Sequence, residues 1–173
     1  MKGYIHCYTG NGKGKTTASL GLALRNAGHK RKVLIIQFMK GNIEYGELNG
    51  VKMLSPYVVL KQFGRADFVS KENPEPIDID FAKKGLQEAS KQISSGKWDV
   101  VVLDEINVAL DFKLIDLNEV LSIIKNKPES LELVLTGRYA PKEIIETADL
   151  VTEMKEIKHY YHNNVNGRKG IEY

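Results

Sequence analysis

The sequence predicts an α/β protein in which helices cover both faces of a mostly parallel sheet, giving three layers. Three observations predict this fold class. Short apolar runs alternate with helical patterns along the chain. Several of the runs are apolar at nearly every position, which is typical of strands buried on both faces. A glycine-rich loop, residues 10–17, lies between the first strand pattern and the first helical pattern.

The elements follow one another in a regular order. Apolar runs predict strands at residues 1–8, 33–38, 100–103, 131–135 and 150–154. Helical patterns separate them and begin at or just after Lys15, Asp78, Asp116 and Pro141. Residues 63–77 contain glycine, prolines and several charges, so we interpret them as a long loop, which in a compact domain is often functional.

The composition is that of one domain spanning residues 1–173. Of its 173 residues 42% are hydrophobic, which is enough for a single core. The sequence shows no long apolar run, signal pattern or lipidation motif, so we expect a soluble, cytoplasmic protein that does not contact membranes. A net charge of +3 with dispersed Lys and Arg favours a small anionic ligand over nucleic acid. The single cysteine, Cys7, excludes a disulfide framework within one chain.

The glycine-rich loop predicts a binding site for a nucleoside triphosphate. In such a loop, backbone N–H groups and the positive end of the following helix bind phosphate oxygens. Lys15 then reaches the phosphates and the Thr16 hydroxyl can ligate Mg²⁺, so we assign catalytic roles to both. A solvated loop is the alternative, but G-K-T-T at a strand-to-helix junction rarely arises by chance. The predicted phosphate-binding residues are Gly10, Asn11, Gly12, Lys13, Gly14, Lys15, Thr16 and Thr17.

The loop is one residue shorter than the usual phosphate-binding pattern. G-x-x-x-x-G-K-[ST] would place its first glycine at position 9, which is Thr9, whereas the glycine here is Gly10. A tighter loop can change how the triphosphate lies. The motif alone therefore does not establish ordinary γ-phosphoryl transfer.

Two carboxylates, Asp104 and Glu105, follow the apolar run of residues 100–103. The carboxyl ends of parallel strands form the ligand-binding edge of such a sheet. Because Mg²⁺ prefers oxygen ligands and usually takes one or two from protein, Asp104, Glu105 and Thr16 are the predicted metal ligands. Acids that merely solvate a turn are the alternative.

Further charged side chains are candidates for the same edge. Arg138 follows the run of residues 131–135 and is predicted to bind a phosphate or the ribose. Arg25 lies on the first helix, where a solvated charge is the default interpretation. His159 is interpreted either as a general base or, more simply, as an ordinary histidine of the final segment.

Six segments together carry a family resemblance that extends over nearly the whole chain. They are T-G-N-G-K-G-K-T-T at 9–17, V-L-I-I-Q-F-M-K-G at 33–41, V-V-V-L-D-E at 100–105, L-T-G-R at 135–138, A-D-L-V-T-E-M-K-E-I-K-H at 148–159 and G-I-E-Y at 170–173. In this combination the chain resembles the P-loop type of ATP:corrinoid adenosyltransferases, which act on cob(I)alamin or cob(I)yrinic acid a,c-diamide.

The resemblance implies a RecA-like P-loop NTPase fold, commonly in a homodimer. It implies transfer of the 5′-deoxyadenosyl group of ATP to Co(I) of a reduced corrinoid, with release of triphosphate. It also implies Mg²⁺ or Mn²⁺ as the metal, a flavoprotein reductase as electron donor, and nucleotide contacts at residues 10–16, Arg25 and Glu105, with Glu105 in a catalytic role. The family's tight loop is associated with an unusual ATP pose, which agrees with the position of Gly10.

The chain departs from the family where the corrinoid is expected. Some members carry an aromatic F-T-W-type segment, whereas residues 62–68 here are Q-F-G-R-A-D-F. We expect no counterpart of the N-terminal extension of some members. Phe63 and Phe68 are the predicted corrinoid contacts, and packing in the core is the alternative for either.

The absence of an activated Ser, Cys or His agrees with this chemistry. Co(I) is already a strong nucleophile, so the reaction needs alignment and stabilisation of the departing triphosphate rather than a general base. Two other functions stay open from the sequence. One is a small phosphotransferase similar to the deoxynucleoside kinases, and the other is an ATPase.

Overall fold

The computed structural model describes residues 2–41 and 45–173. Within these ranges, six strands form one sheet in the order β3-β2-β4-β5-β1-β6, and each neighbouring pair is parallel. The strands are β1 (Ile5–Thr9), β2 (Val33–Phe38), β3 (Val58–Phe63), β4 (Val100–Asp104), β5 (Glu132–Thr136) and β6 (Leu150–Glu153). The predicted α/β fold with a parallel sheet is confirmed.

Helices cover both faces of the sheet. They are α1 (Lys15–Gly28), α2 (Gly46–Met53), α3 (Pro76–Ile93), α4 (Ile106–Asp111), α5 (Leu117–Lys125) and α6 (Lys142–Thr147), followed by a 3₁₀ turn at Tyr160–Asn163. Side chains alternate along each strand, so successive residues join different cores. Val100 and Val102 of β4 pack with α1 and α2, whereas Val101 and Leu103 pack with α3, α4, α5 and α6.

Two predicted features of the middle of the chain are wrong. The long loop is shorter than residues 63–77, because Phe63 is the last residue of β3 and Pro76 already begins α3. Asp78 is not the N-cap of that helix. Glu75 is the N-cap, and Asp78 accepts a hydrogen bond from the Glu75 N–H at 2.9 Å, which forms a capping box.

Other boundaries differ by smaller amounts. β1 begins at Ile5 rather than at residue 1, and Met1 lies outside the described residues. Asp116 caps α5 as predicted and accepts bonds from the N–H groups of Asn118 and Glu119. Pro141 stands just before α6. The final strand, β6, is an exposed edge strand rather than one buried on both faces, because among the described residues it pairs with β1 alone. No helix among the described residues is long and apolar enough to span a bilayer.

Candidate functional site

Four adjacent strands end at the same edge of the sheet in residues with a left-handed backbone. Gly10 follows β1 with φ 94°, Met39 follows β2 with φ 63°, Glu105 follows β4 with φ 62° and Gly137 follows β5 with φ 131°. For Met39 and Glu105 this conformation is strained, and such strain clusters at functional sites. Each strand therefore stops abruptly at the carboxyl edge, where parallel sheets bind ligands.

The phosphate loop closes around its own lysine. The Lys15 ammonium donates hydrogen bonds of 2.7 Å to the carbonyl oxygens of Gly10 and Gly12. Burial lowers the pKa of Lys15, and the nearby Glu105 carboxylate offsets part of that effect. Lys15 begins α1, so its amide lies at the positive end of the helix. The loop thus holds a cation at the site where anionic phosphates are expected.

The shortened loop is pressed against the backbone that follows β6. The N–H of Gly12 donates to the carbonyl oxygen of Met154 at 2.6 Å. A Cβ at Gly10 would lie 2.5 Å from that oxygen, and one at Gly12 would lie 2.6 Å from it. Glycine is therefore required at both positions. The amide of Gly12 is directed at the protein rather than at a ligand, which distinguishes this loop from one whose amides all face phosphate.

Asp104, at the end of β4, is fully buried and organises the edge. Among the described residues, four side chains donate to its carboxylate. Thr16 and Thr136 bond one oxygen at 2.9 and 2.7 Å, and Gln37 and Lys40 bond the other, both at 3.1 Å. The phosphate loop, β2 and β5 are thereby tied to β4 at one carboxylate. A buried charge needs such compensation.

The two carboxylates at the end of β4 hold Lys40 in its charged form. Burial by itself would lower the pKa of Lys40, but the Asp104 and Glu105 carboxylates outweigh it and leave that pKa raised. Lys40 therefore stays a cation between the two acids. In this ion pair the Asp104 side chain is wholly removed from water.

Glu105 lies where the strand has already ended. Its N–H donates to the Thr136 hydroxyl at 3.0 Å, and its left-handed backbone starts α4. The alternation of side chains along β4 therefore no longer applies, and the Glu105 side chain lines the same cavity as Thr16. Burial first, and then the Asp104 charge, raise the pKa of Glu105. A cation bound beside these carboxylates would relieve that cost.

The oxygens of Thr16, Asp104 and Glu105 are the type of donor that Mg²⁺ prefers. The described part of the chain contains no group of three or more His, Cys, Asp or Glu side chains able to enclose a metal ion. An ion at this edge would therefore take its other ligands from phosphate or water, which is the usual manner of binding for Mg²⁺. The donor set fits the predicted metal.

A first cavity of about 730 Å³ opens above this edge. It brings together most of the predicted nucleotide residues with residues 170–173. His159, whose Nδ1 accepts from the Tyr161 N–H at 3.0 Å, also lines it. The predicted residues that line it are Gly12, Lys13, Gly14, Lys15, Thr16, Thr17, Glu105 and Arg138. Gly10 contributes its carbonyl oxygen to Lys15, and Asn11 borders a separate polar cavity beside Arg138.

A second cavity of about 600 Å³ adjoins the first. Four residues line both cavities, namely Lys40, Tyr45, Glu105 and Arg138. The second cavity is richer in aromatic side chains, since Phe68, Phe112 and Tyr139 also line it. The site is thus a phosphate-binding chamber joined to an aromatic one, with two cations and one carboxylate at the junction.

The structure separates the two predicted corrinoid contacts. Phe68 is 93% exposed and stands at the second cavity. Phe63 instead packs against the core, and a Cβ at Gly85 would lie 3.0 Å from the Cβ of Phe63. Phe63 therefore supports the α3 packing, while Phe68 remains available to a ligand.

Residues 64–75 are held to the rest of the protein on both sides of Phe68. Arg65 pairs with Glu75 at 2.7 Å and with the buried Asp78 at 2.8 Å. Lys71 pairs with Asp111 at 2.6 Å and lies over the Tyr139 ring at 5.4 Å. The loop thus presents one exposed aromatic side chain between two anchoring cations.

Arg25 lies away from both cavities. It is exposed on the last turn of α1, ten residues beyond Lys15. At 1.5 Å of rise per residue that is about 15 Å along the helix. The Arg25 charge acts on Tyr8, whose pKa is raised by burial and by Glu132 and is lowered in part by Arg25. Its predicted nucleotide contact stays a prediction.

Sequence reasoning missed three residues that meet at Asp104. Gln37 and Lys40 come from β2 and the turn after it, and Thr136 ends β5. A signal was present for Gln37, because a polar residue inside the apolar run V-L-I-I-Q-F is unusual for a buried strand. Lys40 and Thr136 lay within segments that carried the resemblance but had no assigned role.

The chain is similar over its whole length to a family of known proteins. Residues 1–173 match the family model described as ATP:corrinoid adenosyltransferase BtuR/CobO/CobP. The corrinoid adenosyltransferase of Escherichia coli strain K12 is 34% identical over 172 residues, covering 99% of this chain and 86% of that protein. The corrinoid adenosyltransferase of a Sinorhizobium species is 35% identical over 181 residues, covering 99% and 81%.

Two further matches are more distant in length or sequence. An uncharacterized protein of Nostoc is 39% identical over 171 residues, but this chain spans only 45% of that longer protein. Among solved structures, the flagellar accessory protein FlaH from Methanocaldococcus jannaschii has a TM-score of 0.60. It is 15% identical over 88% of this chain and 71% of that one, so the likeness shows the fold alone.

Proposed function

The chain belongs to the ATP:corrinoid adenosyltransferase family and is a transferase of the adenosyl group of ATP, and we propose that its two adjoining cavities divide the substrates between them. ATP occupies the first cavity and the reduced corrinoid the second. The observation that carries this assignment is the shared border of the two cavities, formed by Lys40, Tyr45, Glu105 and Arg138. The phosphotransferase and ATPase alternatives lose their support, because the family match covers the whole chain.

The chain's own residues stabilise the departing triphosphate. Lys13 and Lys15 line the first cavity, and Lys15 is already held within the loop by carbonyl oxygens. The helix N-terminus of α1 adds partial positive charge beside them. A cation held in place where negative charge develops, such as Lys15, needs no rearrangement during the reaction, and such preorganised charge is usually the largest single contribution to catalysis.

Thr16 and Glu105, which line the first cavity, would hold the Mg²⁺ or Mn²⁺ ion that the family resemblance implies, and the buried Asp104 would act through Thr16. When bound, the ion neutralises part of the charge on the triphosphate. Asp104 fixes the Thr16 hydroxyl at 2.9 Å, and Lys40 balances the buried carboxylate at 3.1 Å. These two contacts orient the oxygens of the site.

The corrinoid carries the nucleophile, so the protein's task at the second cavity is alignment. Co(I) attacks the 5′-carbon of ATP, the new cobalt–carbon bond forms, and the bond to the triphosphate oxygen breaks. Bringing the two reactants together at a fixed distance can supply much of the rate enhancement. The aromatic side chains of Phe68, Phe112 and Tyr139, which line the second cavity, offer apolar contacts to the macrocycle. Arg138 stands at the junction and is placed to bind the phosphates or the ribose.

The cellular setting rests on the family resemblance. We propose that the protein acts in the cytoplasm as a homodimer and receives electrons for its corrinoid from a flavoprotein reductase. The exposed edge strand β6, with Leu150 and Val151 both more than two-fifths exposed, offers a surface on which a second copy can pair. Sedimentation of the purified protein measures the oligomeric state directly.

The test of this function is whether ATP consumption depends on the corrinoid. Protein, ATP and Mg²⁺ are incubated with and without a chemically reduced corrinoid, and both the ATP and the cobalt product are followed. We expect no turnover without the corrinoid and formation of an adenosylated corrinoid with it. Steady ATP hydrolysis in the absence of corrinoid would identify an ATPase instead.

Glu105→Gln is expected to raise the Mg²⁺ concentration needed for half-maximal rate more than Asp104→Asn does. The oxygens of Asp104 are engaged by four side chains, whereas Glu105 presents its carboxylate to the first cavity. We expect the required Mg²⁺ concentration to rise at least about tenfold. Mutation of residues that only support metal ligands already lowers metal affinity by about that factor. Metal titrations of the two variants decide the order, and an unchanged Mg²⁺ requirement in Glu105→Gln refutes the assignment.

Phe68→Ala is expected to lose activity without losing stability, whereas Phe63→Ala should lose stability. An axial ligand must leave cobalt before reduction is easy, and an apolar side chain pressed against that face favours the ligand-free form. We expect Phe68→Ala to be about tenfold slower with Co(II) corrinoid and a mild reductant, and close to wild type with preformed Co(I). Its free energy of unfolding should change by less than about 0.5 kcal/mol, because Phe68 is exposed.

Phe63→Ala is the matched control for this experiment. Its core packing predicts a loss of about 3 kcal/mol in urea denaturation. If Phe68→Ala keeps full activity with Co(II) corrinoid, the corrinoid does not rely on this loop.

A further inference from the structure

The segment of residues 168–173 folds back on itself and holds a carboxylate beside the phosphate loop. Glu172 accepts hydrogen bonds from the Tyr160 hydroxyl and from the Arg168 N–H, the latter at 2.6 Å. The Arg168 guanidinium lies 3.5 Å from the same side chain and over the Tyr160 ring. These contacts, led by the Tyr160 hydroxyl, lower the pKa of Glu172 to about 2. Glu172 is therefore an anion at any physiological pH.

This anion is joined to a lysine of the phosphate loop. The Lys13 ammonium lies 3.7 Å from a Glu172 carboxylate oxygen and donates a 2.9 Å hydrogen bond to the carbonyl oxygen of Ile171. Both Lys13 and Glu172 line the first cavity, together with Lys15 and Thr16. The segment also reaches the start of α2, since a Cβ at Gly46 would lie 3.8 Å from the Tyr173 carbonyl carbon.

The arrangement places a negative charge inside a cavity built for negative ligands. Lys13 is 40% exposed, so its contacts with the segment can be exchanged for others. A polyphosphate that enters the cavity needs the same ammonium and is repelled by the same carboxylate. Lys15 is not subject to this competition, because its hydrogen bonds go to loop carbonyl oxygens.

We propose that Glu172 is an internal competitor of polyphosphate for Lys13. With the cavity free of ligand, Lys13 is held by residues 171 and 172; when ATP binds, its phosphates take Lys13 from the segment. After adenosyl transfer, Glu172 recaptures Lys13 and so speeds the departure of triphosphate. This role in product release rests on the proposed function, but the competition itself concerns any polyphosphate.

The test is the affinity of the protein for inorganic tripolyphosphate, measured by calorimetry without corrinoid. We expect Glu172→Gln to bind tripolyphosphate about two- to fivefold more tightly than wild type. The factor is small because the Lys13–Glu172 ion pair that must be broken is partly exposed to water. In a Lys13→Ala background the same change should have little effect, because the shared cation is gone. The double-mutant comparison thus isolates the contact.

Two control variants separate competition from other causes. Glu156→Gln removes the negative charge of a carboxylate that is hydrogen-bonded to the His162 ring at 2.6 Å, outside the first cavity, and should leave the affinity unchanged. Glu172→Asp keeps the charge and should bind no more tightly than wild type. Thermal unfolding of each variant verifies that the fold is intact.

Three results overturn the proposal. The first is a Glu172→Gln variant that binds tripolyphosphate equally or less tightly. The second is a gain that persists without Lys13 or appears equally in Glu156→Gln, which indicates a general charge effect. The third is an equal gain in Glu172→Asp, which indicates a loosened segment. The binding measurements contain no corrinoid, so they test the competition for Lys13 even if the protein does not catalyse adenosyl transfer.

Discussion

Lys15→Ala and Thr16→Ala are each expected to lower the rate of adenosyl transfer about 10²- to 10³-fold while leaving the fold intact. Removal of one preorganised charge-stabilising donor typically has an effect of this size. Lys15 supplies the buried cation of the phosphate loop, and Thr16 offers its hydroxyl beside Asp104. The measurement is kcat at saturating ATP, Mg²⁺ and preformed Co(I) corrinoid, with circular dichroism to verify the fold.

Lys155→Ala is the matched control for the loss of a positive charge. Lys155 lies near the loop but lines the separate polar cavity beside Asn11, so we expect near-wild-type turnover. If Lys15→Ala and Thr16→Ala also turn over at the wild-type rate, the glycine-rich loop has no part in the mechanism.

Asp104→Asn is expected to destabilise the protein by about 3 kcal/mol and to abolish most activity. Removing one partner of a buried ion pair leaves the other charge uncompensated. Here Lys40 loses its carboxylate, and the new amide N–H₂ group faces side chains that donate to the present oxygens. Urea denaturation measures the loss in the free energy of unfolding.

Asp111→Asn provides the comparison for an ion pair nearer the surface. Asp111 pairs with Lys71, whose side chain is 53% exposed, so the loss should stay within about 1 kcal/mol. Equal stability of Asp104→Asn and wild type would show that the hydrogen bonds at Asp104 are not needed to hold the strand ends together.

The strands that could be predicted from the sequence are those in which nearly every residue is apolar. β2 and β4 are apolar at nearly every position because both of their faces are buried, and the sequence predicts both strands. β3 was missed because it lies at the edge of the sheet and mixes Lys61 and Gln62 with apolar residues. α4 was missed because it is only six residues long and starts at the left-handed Glu105, which no local pattern indicates.

The same distinction applies to the site. The phosphate loop and the Asp104–Glu105 pair could be found because their residues are consecutive in the sequence. The partners of Asp104 come from separate strands and meet only through strand register, in which Gln37 lies opposite Asp104. Register depends on how the strands pack together, so the sequence of a single strand does not reveal such contacts. The division of Phe63 and Phe68 between packing and cavity likewise became visible only with α3 in place.

The identity of the phosphate product tests the central claim most directly. Protein, ATP, Mg²⁺ and preformed Co(I) corrinoid are mixed, and the phosphorus products are resolved by nuclear magnetic resonance alongside the adenosylated corrinoid. Attack of cobalt on the 5′-carbon predicts one triphosphate for each adenosylated corrinoid, with no ADP formed. ADP together with a phosphorylated acceptor, or ADP together with orthophosphate, would contradict adenosyl transfer at this site.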